Sequence, residues 1–125
     1  MWIEYIQNNN FLKQLFKDVP ELLNVEIERF NIDYYGKAIH LFIKLPQRID
    51  EIPLKWKNNN YNGALIEIDF WDVTQFTMSM DDYKKSNINI IKENHVLYVK
   101  IQGGINAKFV TEGGYIQNVK GYILE

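Results

Sequence analysis

Residues 24–45, NVEIERFNIDYYGKAIHLFIKL, decide the fold of this chain. Apolar and polar residues alternate through both halves of the stretch, the two-residue period of strands that bury one face. The two runs, 24–33 and 38–45, flank Tyr34, Tyr35, Gly36 and Lys37, so they read as a β-hairpin in which Gly36 takes the positive φ angle. In the first run Val25 and Ile27 are odd, whereas Phe30 and Ile32 are even. The lost residue of parity predicts a bulge near Glu28 or Arg29, because a strand keeps its apolar side chains on one face only by absorbing an extra residue.

Upstream the period is different. Trp2, Ile3, Tyr5 and Ile6, then Phe11, Leu12, Leu15 and Phe16, follow helical spacing on either side of Asn8 to Asn10. Two short helices are expected over 1–19, with Asn10 as the N-cap of the second and Pro20 barring continuation beyond about Val19. Downstream the strand period persists over 64–72, 75–81, 87–92, 96–102, 106–112 and 115–123, with turn residues between the runs. The fold class is therefore α+β and mostly β. About eight antiparallel strands are expected over 24–123 in a twisted sheet or sandwich, with the short N-terminal helices packed on one face. A loop at 46–63 interrupts them.

Ile66, Ile68 and Phe70, Phe76, Met78 and Met80, Leu97, Val99 and Ile101, and Ala107 and Phe109 mark the expected core face. The other face carries Glu67, Asp69, Trp71, Asp81, Tyr98, Lys100 and Lys108, with Asp72 and Asp82 in the adjoining turns. Acids beside large aromatics have the composition of protein-binding patches. Glu67, Asp69, Trp71, Asp72, Asp81, Asp82 and Tyr98 are the partner-binding candidates on that ground. Solvated or salt-paired acids, and a Trp71 tucked at an edge, are the plainer alternatives.

The chain has 125 residues, enough for one domain over 1–125 that buries roughly two-thirds of its unfolded surface. Sixteen acidic against 14 basic side chains leave a net charge of −2, which gives no positive field for nucleic acid or anionic lipid. No apolar run approaches a membrane span, and the first residues, MWIEYIQNNN, do not resemble a secretory signal; a cytoplasmic address is expected. Cysteine is absent, which excludes disulfides, thiolate metal sites and a cysteine nucleophile.

Catalytic signatures are not visible. Serine occurs only at 79 and 86, and His40 and His95 lie in a strand and a turn without HxH or HExxH spacing. The glycine pairs at 103–104 and 113–114 lack a phosphate loop's spacing and helix, and read as tight turns. Glu67 and Asp69 form the one candidate acid–base pair, at a separation common to any polar strand. Neither catalytic residues, a metal nor a cofactor is expected.

Five segments together resemble the immunity protein 50 family: the start MW with the helix FLKQLF, VPELLNVEIERFNIDYYGKAIHLFIKLP, PLKW, the following Tyr61-Asn62, and the acid-edged strand LIEIDFWDV. Where that family tends toward two adjacent prolines and a lysine before tryptophan, this chain has Ile52-Pro53-Leu54-Lys55-Trp56. The resemblance implies a small intracellular immunity protein of a bacterial polymorphic toxin system. Such a protein is no enzyme; its partner is a cognate protein toxin, which it binds and neutralises. No binding residues carry over from the family. Trp56 is expected to be a structural anchor that fixes the 46–63 loop, its alternative being an exposed contact for the toxin. A small-ligand-binding β module is the rival reading, and oligomeric state is left open.

Overall fold

A computed structural model describes residues 1–35, 37–82 and 84–125, so the φ angle expected of Gly36 lies outside the described residues. Among these residues nine strands make up one sheet: β1 (Ile6–Gln7), β2 (Val25–Asp33), β3 (Ala38–Lys44), β4 (Gly63–Trp71), β5 (Thr74–Met80), β6 (Lys85–Glu93), β7 (Val96–Gly103), β8 (Ile105–Thr111) and β9 (Gly113–Tyr122). Their hydrogen-bonded order is β1-β9-β4-β3-β2-β6-β7-β8-β5. The hairpin β2–β3 forms as its alternation requires, and its register slips between Ile27 and Arg29, where parity is lost in the sequence.

The expectation of eight antiparallel strands is corrected in one respect. Ile6 and Gln7 pair in parallel with Gly114 and Tyr115, adding a ninth strand and making the sheet mixed. Two residues inside a helical apolar pattern carry no local strand signal. What recruits them is the unpaired edge of β9, more than a hundred residues away.

Two facing halves result. Phe70 on β4 and Phe109 on β8 are separated by four strands in the order, which in a flat sheet would be roughly 24 Å at about 4.8 Å per step. Their ring centroids are 5.3 Å apart, edge to face. The sheet therefore bends back on itself, and it does so where, among the described residues, β2 meets β6 through only Val25↔Ser86 and Glu26↔Lys85. Ile39, Leu41, Ile43, Ile66, Ile68 and Phe70 from one half face Ile88, Ile90, Leu97, Val99, Ile101 and Phe109 from the other, all buried. Met80 is the exception to the expected core face. It is 71% exposed, because β5 is the outermost strand and its end, paired with Ile105, overhangs the core. Gly113 and Gly114 likewise open β9 rather than forming a turn.

The N-terminal turn packs on this core beside β6. Trp2–Tyr5 forms a 3-10 turn whose Trp2 Nε1 donates to the Pro20 carbonyl at 2.9 Å, and Trp2 and Ile3 are buried. Helix α1 spans only Asn10–Leu15. Asn9, not Asn10, precedes it, and the Asn9 side chain donates backward to the Ile3 and Ile6 carbonyls instead of capping the helix. The helix stops short of Val19 because Phe16 turns extended while the Leu15 carbonyl accepts from Asp50 and Glu51 of the long loop. That loop holds a one-turn helix, α2 (Leu54–Lys57), and is tied down by Ile49 N–H to the Asn62 carbonyl. No helix among the described residues is long and apolar enough to cross a membrane.

Candidate partner interface on the outer face of β3 and β4

Strand β4 alternates without interruption, burying Ala64, Ile66, Ile68 and Phe70 and turning Leu65, Glu67, Asp69 and Trp71 outward, each half-buried among neighbouring strands. Register places His40 opposite Asp69 and Phe42 opposite Glu67 on β3, and Asn118 opposite Glu67 on β9. The sequence distance of 29 residues between His40 and Asp69 vanishes in this pairing. His40 Nδ1 lies 2.7 Å from Asp69 Oδ1 and 3.9 Å from Glu67 Oε2. An ionised carboxylate only accepts, so Nδ1 carries the proton of the short bond and the ring orients toward the acids.

Glu67 shares its strand face with a second carboxylate, two residues along at Asp69. Burial pushes the Glu67 pKa up to about 7, helped by its hydrogen bond to Asp69 and the charge of Asp69, and opposed by His40 and Lys120. Near neutrality Glu67 is thus divided between its acid and its carboxylate, and a cation arriving from outside would draw it to the charged form. One donor atom each from His40, Glu67 and Asp69 lies within 4.8 Å of the others, a nitrogen and oxygen set that suits a divalent cation. The His40–Asp69 hydrogen bond accounts for the same proximity without one.

Trp71 closes the face at one end. It is paired with Gly113, and a Cβ at that glycine would stand 2.3 Å from the indole Cζ2, so the ring lies over the glycine backbone. Asp72 follows in the turn with φ of 51°, exposed, and the Trp71 carbonyl accepts from both the Thr111 hydroxyl and the Glu112 N–H. Glu67, Asp69, Trp71 and Asp72 therefore form one continuous strip.

The remaining sequence candidates sit elsewhere. Asp81 and Asp82 follow the far end of β5, roughly 20 Å along the strand from Asp72 at about 3.3 Å per residue. Asp81 accepts there from Asn106 Nδ2 at 3.0 Å. Tyr98 projects from β7 on the other half of the folded sheet, near Lys100 and Lys108, which oppose each other directly. Folding the sheet thus divides the polar face expected from sequence into an acid strip and a lysine-bearing face. Trp56 is half-buried, packed edge-on to Phe11 at 5.8 Å and close over Gly121, and no hydrogen bond from its indole is found among the described residues. His40 is the site residue that sequence reading set aside; only the β3–β4 register reveals its partners.

The fold is a mostly β, mixed and unclosed sheet. The chain belongs to the immunity protein 50 family, whose model matches residues 8–122. No curated protein and no solved structure matches it.

Proposed function

We propose that this chain is the immunity partner of a bacterial toxin, binding it in the cytoplasm of the producing cell and blocking it by occlusion, without turnover or a cofactor. The observation that carries this reading is the family match over 8–122. The acid strip supplies a contact surface suited to it. A stable complex needs roughly 800 Å² from each partner, and outer-face residues of β3, β4 and β9 offer a pleated surface with aromatic side chains among the acids. A toxin with a basic active site, such as a nuclease, would meet Glu67, Asp69 and Asp72 where it otherwise meets phosphate, and complementary charge would speed the encounter. Trp71 would be the apolar anchor at the edge of that contact.

The test is co-expression with the toxin domain encoded beside this chain. Toxin alone should kill, and toxin with the wild-type chain should not. A Glu67→Lys, Asp69→Lys double variant that stays folded should lose protection. Killing that persists alongside the wild-type chain ends the immunity reading, whereas undiminished protection by the double variant moves the contact away from β4.

A further inference from the structure

Among the described residues, strands β2 and β5 run side by side in opposite directions with no hydrogen-bonded ladder between them. The start of β2, at Ile27 and Glu28, and the end of β5, at Met80, line one groove of about 440 Å³. The end of β2, at Ile32 and Asp33, and the start of β5, from Thr74 to Phe76, line a second of about 280 Å³. Between the two grooves the rings of Phe30 and Phe76 approach to 6.1 Å. Yet β2 pairs along its length with β3 and touches β6 only through Val25 and Glu26, while β5 pairs with β8 alone. Among the described residues, both strands therefore turn an unladdered backbone edge toward a common seam.

The reason the seam stays open is visible in both strands. Each carries an irregularity, at Ile27–Arg29 in β2 and at Thr74–Thr77 in β5, where Gln75 has φ of 52°. Such bulges bend a strand and break the even spacing that a ladder needs. Beyond the bulges the edges are regular, and β5, TQFTMSM, has no charge, lysine or proline of the kind that blunts an exposed edge. The half-buried rings of Phe30 and Phe76 floor the seam, and Ile32 and Met80, 54% and 71% exposed, stand at its two ends.

We infer that the β2–β5 seam receives an extended segment of the partner protein, which adds to the sheet as a strand and covers Phe30 and Phe76 with an apolar side chain. This rests on the toxin-binding reading above. Strand edges that carry no ladder among the described residues are complemented by another polypeptide backbone in extended form, and the aromatic floor selects an apolar residue at alternate positions. The seam also borders the acid strip, since β2 lies two strands from β4 in the order, so one partner can engage both.

The experiment uses the full chain and the adjacent-gene toxin domain carrying an inactivating substitution. Hydrogen exchange with and without toxin should show amides in 29–33 and 76–80 slowed by at least about tenfold on binding. Ile32→Asp and Met80→Asp, both at exposed positions, should each weaken binding by about tenfold or more while the unbound melting temperature stays within a few degrees. Toxin bound at wild-type strength by both variants, with exchange in those segments unchanged, overturns the seam and leaves the immunity reading standing. No binding by the wild-type chain overturns both. A toxin-free dimer whose exchange protection maps to the same two segments assigns the seam to a second copy and also overturns the inference.

Discussion

His40 on β3 donates to Asp69 directly opposite on β4 at 2.7 Å, with the Glu67 carboxylate on the same face. This arrangement makes the acid strip responsive to pH. Glu67 titrates near 7 in the folded chain against 4.5 ordinarily, so between those values the native state holds a proton that the unfolded chain has released. Stability from this group is greatest at low pH, falls as pH rises through the window, and the penalty is complete above about 7. Glu67→Gln should therefore be more stable than wild type at pH 8, by about 1–2 kcal/mol once solvent screening of the open site is allowed for. The two should converge at pH 4 to 5. Denaturant unfolding at both pH values checks this, and a difference independent of pH would refute it.

Phe109 is buried against Phe70 and Phe76 and joins the two halves of the bent sheet. Phe109→Ala should cost about 3–5 kcal/mol, since the rigid strands around it cannot collapse into the cavity. Tyr35, 98% exposed beyond the hairpin, provides the contrast: Tyr35→Ala should stay within about 0.5 kcal/mol of wild type. Equilibrium unfolding of the two variants side by side makes the comparison.

Gly113 is required by what lies over it rather than by its backbone angles. Adding one methyl in Gly113→Ala puts it against the Trp71 ring, which must leave its seat. A loss of about 1–3 kcal/mol is expected, accompanied by a change in tryptophan emission as the indole moves. Unaltered fluorescence and stability would show that the ring does not rest there.

Asn9 links the N-terminal turn to β1 through two side-chain bonds, to the carbonyls of Ile3 and Ile6 at 2.8 and 3.0 Å. Asn9→Ala leaves both without that donor and should lower stability by about 1–2 kcal/mol. Exchange of the amides in 2–7 should accelerate more than in β4. Uniform acceleration across the chain would mean that the N-terminal segment does not open separately.

Much of the architecture was legible in local pattern. Alternation marked eight of the nine strands, and the parity break in VEIERF located the β2 bulge between Ile27 and Arg29. Of the contact candidates, Glu67, Asp69, Trp71 and Asp72 form one strip, whereas Tyr98 lies on the lysine-bearing half. Strand period assigns a residue to the outside of its own strand but not to a neighbour, so His40 shows no HxH or HExxH spacing in the sequence although Asp69 lies opposite it.

What the sequence by itself determined is therefore whatever depends on neighbours along the chain: strand or helix, inward or outward, and the features by which the chain resembles its family. Only the tertiary structure decided the pairing of Ile6 and Gln7 with β9, the fold-over that brings Phe70 to Phe109, the His40–Asp69 contact and the open seam between β2 and β5. Each of these is a meeting of residues far apart in sequence. Such meetings are set by where backbone edges remain unpaired and apolar faces uncovered after local structure has formed, and no window of neighbouring residues contains that information.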